Sequence, residues 1–229
     1  MVDEGVIKFS ARHETRPLDP RVYGALACTL VAWREILALT GLVGQDPSRY
    51  GGAGFGNVSA RVPPFGDLTR GRRRFIVSGT QTGGLACISL RELCVVEEWR
   101  IAKNEVRSFG EIMPSSEAMT HGAIYDLAPE LRAVLHAHTP LVWQRARPLG
   151  IPATRPDVAY GTPEMAGEVE RLWRETAVSE ARVFAMGGHQ DGVVAFGRTA
   201  DDAGATMMRC LARAYAAACF ERGAVCAAK

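Results

Sequence analysis

The chain has 229 residues, 47% hydrophobic and 23% charged, with a formal net charge of +2. That length suits one domain that buries roughly 70% of its unfolded surface, and so balanced a charge asks for no nucleic-acid partner. With no charged-then-apolar leader and no apolar stretch of about 20 residues, neither secretion nor a membrane span is expected, which makes the expected location cytoplasmic.

Residues 1–18 are polar and aperiodic, the pattern of an extended arm, and residues 19–229 are expected to form a single domain. Asp19-Pro20 is a strong helix start, a capping residue followed by proline at the first helical position. Val22, Leu26, Leu30, Trp33 and Leu37 then form an apolar stripe at helical spacing, which Gly41 ends. The glycine-rich stretch at 51–56 reads as a loop able to approach a ligand, and a nucleotide-binding reading fails because strand, not helix, follows. Four short strands are expected at Val58–Val62, Arg74–Ser78, Leu93–Trp99 and Val106–Phe109, and their short turns imply antiparallel pairing. Arg70 and Arg72–Arg74, between the first two, read as a solvated hairpin turn.

Pro114-Ser115-Ser116-Glu117 opens a helical pattern that runs to about Leu127, with the serines at the cap and first turn. A helix start presents free N–H groups and the positive end of the dipole, which suits a phosphate or carboxylate; an ordinary N-cap has the same pattern. His121, four residues after Glu117, shares its helical face and either orients the glutamate or is a packed histidine. Leu131–His138 reads as a strand, so His136 and His138 project to one face. Paired imidazoles offer two nitrogen ligands to a borderline cation, and a third ligand leaves a position open for substrate. His189 follows the strand-like run Arg182–Met186 and sits on a Gly187–Gly188 turn before Val193–Phe196, at a hairpin tip where it can supply that third ligand. Asp191, two residues after His189, either supports that ligand from behind or is merely part of the turn. A helix capped by Thr162-Pro163 and a long helix from about Ala200 to Arg222 complete an α/β protein with a largely antiparallel central sheet covered by helices. The six cysteines, Cys28, Cys87, Cys94, Cys210, Cys219 and Cys226, lack CxxC spacing and read as small buried hydrophobes.

Taken in order, Gly56-Asn57-Val58-Ser59 with Arg61, Ile76-Val77-Ser78-Gly79, Pro114-Ser115-Ser116-Glu117, His136-Ala137-His138 and His189 resemble the class II aldolase/adducin family from about Asp19 to Gly223. The resemblance implies a three-layer α/β/α fold and one divalent metal ion on His136, His138 and His189. Zinc suits the ligand type, and manganese, cobalt or iron would also accept three imidazoles. It further implies that Glu117 is the acid/base, that Asn57, Ser78, Gly79, Ser115 and Ser116 hold a substrate phosphate, and that the chain forms a homotetramer acting on a small sugar phosphate. The expected reaction is retro-aldol cleavage through a metal-stabilised enediolate. A Schiff-base route is disfavoured because the only lysines are Lys8, Lys103 and Lys229.

Two departures from the family pattern bear on substrate and proton donor. The Thr139–Tyr160 segment is short where sugar-phosphate aldolases deliver a tyrosine, and GGHQDG replaces asparagine-histidine-glycine at the third histidine. Epimerisation, decarboxylation or dehydration at the same metal site, or a non-catalytic adducin-like role, are the alternatives.

Overall fold

The computed structural model describes residues 5–66 and 69–223. In chain order its elements are β1 (Ser10–Thr15), α1 (Pro20–Leu39), β2 (Gly44–Gln45), β3 (Gly54–Phe55), β4 (Asn57–Arg61), β5 (Phe75–Ser78), β6 (Leu93–Arg100), β7 (Glu105–Gly110), α2 (Ala118–Leu127), β8 (Ala133–His138), α3 (Pro140–Trp143), α4 (Pro163–Glu175), α5 (Val178–Ala181), β9 (Val183–Ala185), β10 (Gly192–Gly197) and α6 (Ala200–Glu221). Eight strands make one sheet in the order β1-β7-β6-β5-β4-β8-β10-β9, and β2 and β3 form a separate ribbon. Every neighbouring pair in the large sheet is antiparallel except β1 with β7, so it is largely antiparallel with one parallel edge.

The alternation of side chains along the strands divides the core in two. Val58, Ile76, Val95, Leu135 and Val193 face Leu30 and Leu37 of α1 and Met207 and Ala214 of α6. Phe75, Val77, Val96, Val134 and Val194 face Met119 and Ile124 of α2 and Met165 and Leu172 of α4. The result is the expected three layers.

Helices α1 and α4 start where their caps predict. The Asp19 carboxylate accepts from Arg21 N–H at 2.9 Å with Pro20 next in line, and the Thr162 hydroxyl accepts from Met165 N–H at 3.3 Å. The buried stripe of α1, however, is Tyr23, Ala27, Leu30, Arg34 and Leu37, while Val22 is 60% exposed, so the face is rotated by about a residue from the one expected. α1 also corrects the expectation that no apolar stretch approaches 20 residues. An 18-residue window of it has a mean hydropathy of 1.5, enough by length and composition for a span, and it packs on β4 and α6 with Arg34 buried. That guanidinium donates to the carbonyls of Thr82, Gly83 and Leu85.

Other expectations are revised. Ser10–Thr15, read as part of an arm, are extended and paired to β7 from Glu105 to Gly110. Within the glycine-rich loop, Gly54 and Phe55 pair with Gln45 and Gly44. Helix α2 begins at Ala118, so Ser115 and Ser116 precede the helix instead of occupying its first turn. Arg73 is buried, donating to the Tyr125 carbonyl, and only Arg70, Arg72 and Arg74 fit the solvated turn. Of the cysteines, Cys94 and Cys210 are buried and Cys28 and Cys87 exposed, while Cys226 lies outside the described residues.

Candidate metal centre and active site

Strand alternation on β8 turns Ala133, Leu135 and Ala137 toward α1 and α6, and leaves His136 and His138 on the other face with Val134. Asn57 of β4 and Val194 of β10 flank His136 in register, and Gly192 stands opposite His138. A Cβ on Gly192 would come within 3.2 Å of His136 Cε1 and 3.1 Å of the His189 carbonyl, so glycine leaves the imidazoles their room. His189 comes from the β9–β10 turn, stacks on His136 with centroids 5.2 Å apart and meets His138 edge-on at 4.7 Å.

All three histidines are buried, and one nitrogen from each lies within 4.8 Å of the others. His136 Nε2 and His138 Nε2 are 3.0 Å apart. Two imidazole nitrogens at that separation either share a proton in an N–H···N hydrogen bond between complementary tautomers or share a metal ion. Burial, reinforced by His136 and His189, pushes the His138 pKa well below its ordinary value, which favours the neutral form that ligates metals. The donor set therefore fits a divalent cation.

Glu117 occupies the N-cap position of α2 with φ −93° and ψ 2°, but its side chain caps nothing. Its own N–H donates to Ser115 Oγ at 3.3 Å, and its carbonyl accepts from His121 N–H. The carboxylate turns inward and is 2% exposed. Oε1 lies 3.0 Å from His189 Nδ1, yet the contact is not aligned as a hydrogen bond and neither carboxylate oxygen accepts one. Burial pushes its pKa up, but the electrostatic interactions with the surrounding imidazoles of His136, His189 and His121 and the His189 contact prevail and lower it to about 2. His121 packs below, its Nδ1 2.6 Å from Ser59 Oγ, which is itself 2.7 Å from the Tyr125 hydroxyl. Burial lowers the His121 pKa to about 3.

Asn57, Gly79, Ser115 and Ser116 line one small cavity, and the buried Asn57 Oδ1 has no hydrogen-bond partner. Ser78 does not line it; its hydroxyl accepts from Val58 N–H at 3.1 Å. The Gly79 N–H is committed to the Glu92 carbonyl, and a Cβ on Gly79 would strike Ile112 at 2.5 Å. The cavity measures about 20 Å³, room for about one water, so a phosphate enters only if a wall gives way. One wall is Gly5. The segment that follows runs toward Tyr160, whose hydroxyl accepts from Val6 N–H at 3.1 Å and whose ring stacks 4.3 Å from His189 under the Lys8 ammonium.

The Gly187–Gly188 turn explains the unusual GGHQDG setting. A Cβ on Gly187 would lie 2.3 Å from the Thr154 carbonyl, and one on Gly188 would lie 2.1 Å from that of Val158, so the glycines let the chain leading to Tyr160 close onto the centre.

Tyr50 is the residue the sequence reading missed. Its ring edge meets His138 at 4.7 Å and its hydroxyl donates to Asp191 Oδ2 at 2.6 Å. Burial, then the Asp191 bond, raises its pKa. Its only local signal is its place at the head of Gly51-Gly52. A cavity of about 490 Å³ lies elsewhere, beside Arg61 and Arg107, and none of the candidate residues lines it.

The family model described as Class II Aldolase and Adducin N-terminal domain matches residues 46–218. The chain belongs to this family. Solved structures of similar fold include the L-fuculose-1-phosphate aldolase of Thermus thermophilus, at 20% identity over 90% of this class II aldolase/adducin chain and 98% of that one, with a TM-score of 0.59. YgbL of Escherichia coli, named as a candidate aldolase/epimerase/decarboxylase, has 18% identity over 85% and 88% of the two chains and a TM-score of 0.60. A sugar-phosphate aldolase of Thermotoga maritima has 17% identity over 90% and 99%, with a TM-score of 0.56. At these identities the likeness is one of fold. No curated protein matches this family member by sequence.

Proposed function

We propose that this chain is a metal-dependent lyase that cleaves a small phosphorylated sugar or hydroxy-keto substrate by retro-aldol chemistry, working as a cytoplasmic homotetramer. The observation that carries the reading is a buried carboxylate, Glu117, with no hydrogen bond of its own, set against three buried and converging imidazoles. A divalent cation on His136, His138 and His189, zinc by ligand type with manganese, cobalt or iron as substitutes, would polarise the substrate's carbonyl and hydroxyl oxygens.

The rest falls to the chain's own groups. The Glu117 carboxylate removes the proton from the substrate carbon in the synthetic direction, and in cleavage it returns to that carbon a proton taken up from solvent. Asn57, Ser115 and Ser116 hold the phosphate through side-chain N–H and O–H groups, and Ser78, whose oxygen already accepts from Val58 N–H, keeps its O–H to donate. Gly79 shapes the cavity wall. Anchoring the phosphate keeps the reacting carbon beside Glu117.

Retro-aldol cleavage needs a second group to take the hydroxyl proton. The two tyrosines at the centre hold their hydroxyls in other bonds, Tyr50 to Asp191 and Tyr160 to the Val6 backbone. Decarboxylation needs only the proton on carbon, and this favours it as the second reading over epimerisation and dehydration.

The test is elemental analysis of the wild type beside the His136→Ala/His138→Ala double variant, followed by turnover assays on sugar phosphates and their acids. About one divalent ion per chain, absent from the double variant, is expected. A wild type that holds no metal after supplementation would move the reading to a non-catalytic, adducin-like role.

A further inference from the structure

Five non-glycine residues among those described have left-handed backbone, and two of them, Tyr50 with φ 49° and Asp191 with φ 62°, bond directly to each other across 141 positions of sequence. Left-handed backbone is unfavourable for most residues with a Cβ, less so for aspartate, and where the surroundings impose it the strain can serve a site. Both residues touch the candidate metal centre from positions that are not themselves ligands.

Asp191 follows His189 by two residues in the β9–β10 turn. Its side chain is held by Tyr50 at 2.6 Å, and its carbonyl accepts from the N–H of Thr139, the residue after His138, at 2.8 Å. Asp191 thus joins the turn that carries His189 to the strand end that carries His138. Tyr50 braces the other side of His138 with its ring edge at 4.7 Å. Arg49 Nη2 donates to the Tyr50 oxygen at 2.7 Å, which fills an acceptor position there and leaves the phenolic proton directed at Asp191.

We propose that Arg49, Tyr50 and Asp191 form a clasp that holds His189 against His136 and His138, with Tyr50 as a positioning residue for the metal centre. The proposal rests on the metal-binding reading given above. A strand fixes His136 and His138 relative to each other, whereas His189 sits on a turn three residues before Gly192, where the β8–β10 pairing begins opposite His138. The clasp adds a constraint on that turn, and it acts through the ligand's backbone instead of through its ring.

The experiment measures Zn²⁺ affinity by competition with a chromophoric chelator, and the visible absorption of Co²⁺-loaded protein, for wild type, Tyr50→Phe, Asp191→Ala, Asp191→Asn and the Tyr50→Phe/Asp191→Ala pair. Tyr50→Phe and Asp191→Ala are each expected to weaken Zn²⁺ binding by about 10- to 100-fold and to alter the Co²⁺ spectrum. The pair is expected to be no worse than the weaker single variant, as for groups acting through one bond. Asp191→Asn, whose amide oxygen still accepts from Tyr50, should stay nearest wild type. Wild-type affinity in Tyr50→Phe, or losses that multiply in the pair, would overturn the clasp while leaving the metal reading standing. A wild type without Zn²⁺ affinity would overturn both. If Asp191→Ala fails to fold, Tyr50→Phe, which keeps the ring and its packing, decides the matter through affinity and spectrum alone.

Discussion

The two faces of β8 are built from the same six residues yet do different work. Ala133, Leu135 and Ala137 lie against α1 and α6 in a largely apolar layer, while Val134, His136 and His138 look toward Glu117, Asn57 and the His189 turn. One backbone, paired on both sides by β4 and β10, thus serves packing on one face and chemistry on the other. A centre mounted on a strand whose opposite face is locked into the core gains its rigidity from that core.

Substitutions on either side of this divide should separate cleanly. The largest effect belongs to the polar face: Glu117→Gln should lower turnover of the responsive substrate by about 10²- to 10⁴-fold while keeping the metal. Unchanged turnover in steady-state assays would remove Glu117 from the mechanism. On the apolar face, Leu135→Ala should cost about 2–5 kcal/mol of stability by denaturant unfolding, with metal content unchanged. Ser59→Ala probes the layer between, since it strips both His121 and Tyr125 of their 2.6 and 2.7 Å partner. A loss of about 1–3 kcal/mol is expected.

The smallest effect is the pH response of His121, whose folded pKa of about 3 lies below its ordinary 6.5. Between these values the unfolded chain takes up a proton that the folded chain refuses, so its share of stability is present above pH 6.5 and is lost as pH falls toward 3. The slope is at most about 1.4 kcal/mol per pH unit. Unfolding in chelator at pH 7.5 and 5.5 should show a shallower fall for His121→Asn than for wild type. Equal slopes would mean that the imidazole does not stay neutral.

Much of this architecture was legible because local rules and tertiary structure agree. Asp19-Pro20 and Thr162-Pro163 cap helices with their own side chains, and the expected strand at Val58–Val62 differs from Asn57–Arg61 by one residue. The HxH spacing places two imidazoles on one face whatever the fold. What was not legible depends on distance in sequence. β1 is polar and lies on an edge, so it has no alternation to declare it, and its order comes from pairing with a strand about 95 residues away. The α2 start moved because Pro114 bridges to Gly79, which holds Ser115 and Ser116 outside the helix. The bond from Tyr50 to Asp191 has no local signature at all.

The family match begins at residue 46, beyond both β1 and α1. Leu30 and Leu37 are nonetheless fully buried, Arg34 fastens the carbonyls of residues 82–85, and Val6 holds the Tyr160 hydroxyl. An expression form trimmed to the family boundary would bare the part of the sheet that α1 covers and release the ring that lies on His189. The span of the family model is shorter than the unit of folding, and soluble preparations should keep β1 and α1.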